Sequence, residues 1–261
     1  MTEETLDDLS LGGIRLLQAR NGYRYSLDPI LLADFAAVRK GDRAVDLGTG
    51  NGILALLLGR LYAVGEVVAI ERQEALAERA RRNVGLNDMS ARIQVVCGDL
   101  REVCRQLPAA GYDLVVSNPP FRKLNSGRIA PNDERAMARH ELAGGVTDFI
   151  MAAARLLKHG GRFALIHLAE RLAEICADMK TAGLEPKRMR LVHSTLGDEA
   201  KLVLLEGRKG AKPGLLVAGP LVLYNSKGGS RDYTDEVRRI YSRQVSARGE
   251  ATDISGVESD G

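Results

Sequence analysis

Along the chain, short runs of consecutive apolar residues alternate with longer stretches in which apolar residues recur every three or four positions. Val67–Glu71, Ile93–Gly98, Tyr112–Ser117 and Arg162–Leu168 are of the first kind, the pattern of strands buried on both faces of a parallel sheet. Ile53–Tyr62, Gln73–Val84, Thr147–Lys158 and Ala169–Ala182 are of the second kind and predict helices. The last two are closed by Gly160 with Gly161 and by Gly183. Ahead of the first core strand, around Ala44 and Val45, Asp28 is placed as a helix N-cap with Pro29 at the first helical position, which predicts a helix through Val38. Later, Lys187–His193 and Lys201–Glu206 are joined by a short connection and predict an antiparallel hairpin. Leu215–Leu223 is a further strand-like run.

Strands alternating with helices, then a terminal hairpin, predict an α/β fold: a Rossmann-like, doubly wound, mostly parallel sheet with one antiparallel strand near its edge. The boundaries expected are an N-terminal segment and cap helix over 1–40, a core over 41–210, a C-terminal extension over 211–245 and a disordered tail over 246–261. Residues 1–11 are polar and expected to fray. The three arginines of the second predicted helix, Arg79, Arg81 and Arg82, fall mostly on its outer face, as a solvated charged face or, alternatively, a nucleic-acid contact.

Composition narrows the function classes only at the margins. A formal net charge of +3 over 261 residues is compatible with nucleic acid without pointing to it. No apolar run approaches the length of a membrane span, and the acidic N-terminus MTEETLDDLS is unlike a signal peptide, so a cytoplasmic protein is expected. Cys97, Cys104 and Cys176 have neither C-x-x-C spacing nor a histidine pattern, which predicts no zinc site and no disulfide frame. Cys97 and Cys176 lie in apolar patterns and are expected in the core. His140, His159, His167 and His193 are scattered, with no spacing that pairs them as metal ligands, and His159 and His167 are expected to be structural.

The chemistry concentrates where strands end. After Ala44 and Val45 comes Asp46, then three glycines at alternate positions, Gly48, Gly50 and Gly52, and then a helix. Glycines let backbone approach a ligand, and a helix N-terminus offers free N–H groups to it. Glu71 ends the next strand nineteen residues past Gly52, the offset at which a carboxylate meets ribose hydroxyls. The position of the third glycine of a G-x-G-x-x-G dinucleotide fingerprint is held by Ile53, and no G-x-x-x-x-G-K-[ST] occurs, so both nucleotide-phosphate motifs are excluded. A later strand ends in Ser117, Asn118, Pro119, Pro120 and Phe121.

With these residues the chain resembles the class I S-adenosylmethionine-dependent methyltransferases. D-L-G-T-G-N-G resembles their first motif, and S-N-P-P-F their fourth, the [NDS]-P-P-[YFW] pattern of enzymes that methylate a planar amino nitrogen. The resemblance implies a seven-stranded sheet, S-adenosyl-L-methionine as cofactor, and cofactor contacts from Asp46, Gly48, Gly50, Gly52, Glu71 and Asn118. It also implies an acidic residue at Asp99 accepting from the cofactor adenine, where the bare sequence also allows a turn cap. Tyr23, Tyr25, Ser26 and Asp28 either cover a sheet edge or, as in the resembling family, fold near the methionine end of the cofactor. Asn118, Pro119, Pro120 and Phe121 would hold the acceptor amine. S-L-D-P-I-L-L-A-D-F near the start and D-Y-T-D-E-V-R-R-I-Y near the end extend the resemblance over nearly the whole chain, to the subgroup that methylates the 6-amino group of an adenosine beside the anticodon of valine tRNA.

The function expected is therefore methylation of an adenine amino group in RNA, most readily tRNA, with no metal and no membrane. A protein glutamine-amide methyltransferase of the release-factor type is the rival enzyme, since a glutamine side chain presents the same planar NH₂. Only about forty residues precede the first core strand, too few for the helical domain expected of that rival. A non-catalytic cofactor-binding module would keep Asp46 and Glu71 but would not need Asn118. Arg122, Lys123, Arg128, Arg135, Arg139 and His140 in the 122–145 stretch, and Lys227, Arg231, Arg238 and Arg239 near the end, are candidate phosphate contacts, the former diluted by Asp133, Glu134 and Glu141.

Overall fold

A computed structural model describes residues 4–9, 11–20, 26–121, 145–226 and 232–242. Two strands, β1 (Glu4–Asp8) and β2 (Arg15–Ala19), pair antiparallel as a separate hairpin. The core then runs α1 (Asp28–Phe35), β3 (Arg43–Leu47), α2 (Ile53–Leu61), β4 (Glu66–Glu71), α3 (Glu74–Leu86), β5 (Ile93–Cys97), α4 (Leu100–Gln106) and β6 (Tyr112–Ser117). It continues with α5 (Val146–Leu156), β7 (Leu157–Leu168), a 3₁₀ turn (Ala169–Arg171), α6 (Leu172–Thr181), β8 (Leu184–His193) and β9 (Ala200–Lys209). Two-residue strands β10 (Leu216–Val217) and β11 (Leu221–Val222) and a final helix α7 (Asp235–Tyr241) complete it.

Seven long strands lie in the order β8-β9-β7-β6-β3-β4-β5, with β10 and β11 added along the outer side of β8, so the sheet has nine strands. β9 alone runs antiparallel, between β7 and β8. Period-2 alternation divides the strand side chains between two cores. Ala44, Val67, Ala69, Leu114, Val116, Ala164 and Ile166 face α1 and α2. Val45, Val68, Ile70, Val115, Phe163 and Leu165 face α4, α5 and α6. Both faces of the parallel strands are thus apolar, which is why these segments appear in the sequence as continuous apolar runs.

Several expectations are corrected. Residues 4–8 are not frayed: they form β1, and β2 docks edge-on against α3. Asn83 Oδ1 accepts the Leu17 N–H and its Nδ2 donates to the Leu17 carbonyl, while Asn87 treats Arg15 in the same way, so two amides one helical turn apart act as a neighbouring strand. This hairpin also changes the outer face of α3. Arg79 is 3% exposed and pairs with Glu4, so it is not part of the solvated face expected, whereas Arg82, also paired with Glu4, stays exposed on that face. Asp28 is the first residue of α1 rather than its cap, the N-cap being Leu27, and the helix stops at Phe35, short of Val38. Of the cysteines it is Cys104 that is buried, while Cys97 and Cys176 are only partly so.

The geometry that matters for ligand binding is at the centre of the sheet. From β3 the chain proceeds to β4 on one side, and β6 returns on the other. The strand order reverses at this point, and in open α/β sheets the crevice beyond the carboxyl ends of such strands takes ligands.

Candidate active site

At that crevice a cavity of about 420 Å³ is walled by the segments following four adjacent strands. Gly48, Thr49, Gly50 and Asn51 come from the β3–α2 turn, Glu71, Arg72 and Gln73 from the end of β4, Gly98 and Leu100 from beyond β5, and Asn118, Pro119, Pro120 and Phe121 from the end of β6. Ser26, Asp28 and Pro29 reach it from the start of α1. Its volume is in the range of small-molecule sites.

The turn after β3 is built around positive φ angles. Gly48, Gly50 and Gly52 have φ of +75°, +60° and +88°, a region costly for any residue with a Cβ. Gly48 N–H and Thr49 N–H both donate to the Ile70 carbonyl, which ties the turn to β4. A Cβ on Gly48 would stand 3.1 Å from Phe149 Cε1, and one on Gly52 would stand 3.2 Å from the Ala80 Cβ. Gly52 is not on the cavity wall: it serves the close packing of α2 on α3.

Carboxylates set the electrostatics. Asp46 is 1% exposed, accepts a 2.5 Å hydrogen bond from Thr49 Oγ1, and is pushed by burial, with help from the Glu71 charge, up to about 7. Glu71 accepts from Gly50 N–H at 2.8 Å and Gln73 N–H at 2.9 Å, one on each oxygen, and burial raises its pKa as well. Asp28 is raised by the same cause. Three carboxyls on one cavity, each destabilised as an anion by loss of water, make a site suited to a cation. Each Glu71 oxygen keeps lone-pair capacity for a ligand hydroxyl.

Asp99 behaves differently. Its carboxylate caps α4 through Arg101 N–H and pairs with the Arg101 guanidinium, which holds its pKa down to about 2, and it is not part of the cavity wall. Its neighbours Gly98 and Leu100 are. Tyr23, Tyr25, the basic residues of 122–144, Lys227, Arg231 and the tail lie outside the described residues. Arg238 is exposed but engaged by Asp232 and Asp235.

Sequence reasoning missed several wall residues. Asn51 is the most telling: it is 1% exposed, and neither its Oδ1 nor its Nδ2 has a hydrogen-bond partner among the described residues. An orphaned amide in a cavity wall fits a ligand that carries both donors and acceptors, as the amino acid end of S-adenosylmethionine does. The residue was visible as part of the glycine turn, but its burial was not. Phe149, from the start of α5, has no sequence signal, since only its tertiary contact with Gly48 brings it in.

A methyltransferase small domain model matches residues 28–177, from the first turn of α1 through most of α6. The chain belongs to this methyltransferase family. The curated tRNA1(Val) (adenine(37)-N6)-methyltransferase of Porphyromonas gingivalis is 34% identical over 191 residues, 71% of this chain and 74% of that protein. The protein of the same name from Aeromonas salmonicida is 30% identical over 217 residues, 82% of this chain and 87% of its own length. Among solved structures, a predicted O-methyltransferase from Agrobacterium tumefaciens superposes with a TM-score of 0.66 at 27% identity, covering 85% of this chain and all of that one. The fold is that of the class I methyltransferases. Among the described residues no group of three or more His, Cys, Asp or Glu is placed to hold a metal ion, and no helix is long and apolar enough to cross a membrane.

Proposed function

We propose that this methyltransferase uses S-adenosyl-L-methionine to methylate the exocyclic amino group of adenine in RNA, with tRNA as the substrate class and the anticodon loop of a valine tRNA as the sharpest candidate. One observation carries the reading: Asn118, Pro119, Pro120 and Phe121 line the same cavity as Asp46 and Glu71, so an amine held by the turn would meet a ligand held by the carboxylates. The curated relatives supply the nucleic acid.

In this reading Glu71 would accept from the ribose hydroxyls, Gly98 and Leu100 would line the adenine end, and Asp28, Asp46 and Asn51 would face the methionine end. The bound cofactor supplies an electrophilic methyl group on a sulfonium centre. The chain's own contribution is placement. The Asn118 side-chain oxygen and the Pro119 carbonyl accept the two amino hydrogens, which turns the nitrogen lone pair out of conjugation with the base and toward the methyl group. Neither proline has an N–H, so between Asn118 and Phe121 the backbone presents only carbonyl acceptors. Phe121 stacks on a base drawn out of its own stack. No side chain is needed as a general base, because the methylated nitrogen loses its proton to water after transfer.

Replacing Asn118 tests the assignment. Asn118→Ala is expected to lose nearly all single-turnover methyl transfer to bulk tRNA, and Asn118→Asp, which keeps an acceptor oxygen, to retain part of it. Both should bind cofactor within about tenfold of wild type, roughly 1.4 kcal/mol. An Asn118→Ala variant that transfers at the wild-type rate would remove the turn from the mechanism.

A further inference from the structure

Next to the acceptor turn is a histidine that the mechanism above does not use. β6 and β7 are parallel neighbours with Ser117 opposite Leu165. Phe121, four residues beyond Ser117, and His167, two beyond Leu165, therefore leave adjacent strands at the same edge of the sheet. Their ring centroids are 5.3 Å apart with the planes at 59°, a tilted contact. His167 has no exposed surface.

The state of the imidazole follows from its partners. Nδ1 accepts the Leu168 N–H at 2.8 Å, so in the neutral ring the proton is on Nε2. That Nε2–H is buried and has no hydrogen-bond partner among the described residues. An unsatisfied buried donor is a cost that a leucine of similar volume would not carry, and such a group calls for an explanation in function or in an unconventional acceptor. The aromatic neighbour within reach is Phe121, and an N–H directed at an aromatic ring is a weak but directional contact.

We propose that His167 is a positioning residue for methyl transfer: a neutral imidazole that holds the Phe121 ring at a fixed tilt, so that the acceptor base stacks with its amino group at Asn118. The proposal rests on Phe121 as the stacking residue in the reading above. Burial also keeps the ring in the required form, pushing the His167 pKa down to about 4, so the imidazole stays neutral throughout the neutral pH range. An apolar side chain at 167 would fill the volume while leaving Phe121 free to change its tilt. The effect belongs to the transfer step and to RNA binding, and cofactor binding should not depend on it.

The test compares His167→Leu with His167→Gln in the full chain. Gln places an amide N–H near the Nε2 position, whereas Leu removes the donor. Cofactor affinity by calorimetry, thermal unfolding and single-turnover transfer to bulk tRNA are measured together. The expected result is that His167→Leu melts at or above the wild-type temperature, binds cofactor within twofold, and transfers methyl at least tenfold more slowly. His167→Gln should recover most of that loss. A Leu variant that transfers at the wild-type rate overturns the proposal. So does a loss of rate matched by an equal loss of cofactor affinity, or a failure of both variants to fold, because each makes the residue purely structural. If the wild-type protein does not methylate RNA at all, the substrate reading fails first, and the ring contact is then decided by NMR. Loss of the ring-current displacement of the His167 ring protons in Phe121→Leu supports the contact, and unchanged resonances in that variant overturn it.

Discussion

Asp46 combines almost complete burial with a carboxyl that this burial pushes from the ordinary aspartate range up to about 7. This has two consequences of known sign. A carboxyl whose pKa is raised in the folded state contributes stability that is fully present below the unfolded value and is lost as pH rises through the folded one. Without cofactor the protein is therefore expected to melt at a lower temperature at pH 8 than at pH 5.5. A cationic ligand prefers the ionised carboxylate, so cofactor binding should tighten over the same interval, by up to about tenfold per pH unit below the pKa. Thermal unfolding with and without S-adenosylmethionine at the two pH values measures both effects. The cofactor-induced rise in melting temperature should be larger at pH 8, and Asp46→Asn should flatten the trend. An equal rise at both pH values would mean that Asp46 is not beside the cation. At this scale the sequence was informative about which carboxylates matter and silent about their protonation. Asp46 and Glu71 were legible from their places at strand ends, but burial, which sets the pKa, depends on helices packed from elsewhere in the chain. The same limit hid Asn51 and His167, whose unpaired atoms exist only in the folded molecule, and it hid the capping of α4 by Asp99 behind the adenine contact that the resemblance implies.

Among the elements, α3 links the N-terminal hairpin to the glycine turn after β3. Asn83 Nδ2 donates to both the Leu17 and the Asn51 carbonyls, and its Oδ1 accepts from Leu17 N–H. Asn87 bonds Arg15 in the hairpin and the Asn83 carbonyl, but nothing in the glycine turn. The two residues should separate when replaced. Asn83→Ala is expected to lower stability by about 2–4 kcal/mol, because it leaves buried backbone groups unpaired. It should also weaken cofactor binding about three- to tenfold, since the Asn51 carbonyl loses its anchor. Asn87→Ala should destabilise by a similar or smaller amount with cofactor affinity unchanged. Urea unfolding and calorimetry on both variants check this, and equal effects on cofactor affinity would refute the link. The hairpin escaped sequence reading because ETLDD has one apolar residue, Leu6, and that residue is 55% exposed. β1 is held by charge pairing and by a docked partner strand, neither of which leaves a hydrophobic period. By contrast β4, β6 and α2 were legible to within a residue or so, because each buries an apolar face or is buried on both sides. α4 was missed because a helix of seven residues is too short for its period to show.

For the molecule as a whole, the strand order places the glycine turn after β3 and the N-P-P-F turn after β6 on neighbouring strands, although seventy residues separate Leu47 from Ser117 in the chain. The Ser117 hydroxyl donates to the Leu47 carbonyl at 2.8 Å, joining the roots of the two turns directly. Local patterns identified each turn by itself, and right-handed crossover connections in a parallel sheet made their meeting at one edge the expected outcome. β10 and β11 were legible only as one strand-like run over Leu215–Leu223, and α7 was not legible. Two-residue strands have no period, and α7 is fixed by burying Val237 and Ile240 in the core shared with α1. The central claim is that this fold joins a cofactor to the amino group of an adenine in RNA. Its most direct test is to incubate the full-length protein with S-adenosylmethionine and tRNA lacking the modification, digest the RNA, and identify the methylated nucleoside by chromatography and mass spectrometry against synthetic standards. The account predicts N6-methyladenosine, formed by the wild type and not by Asn118→Ala. Methyl groups found on a ribose hydroxyl or a guanine, or transferred only to a glutamine of added protein, would contradict it.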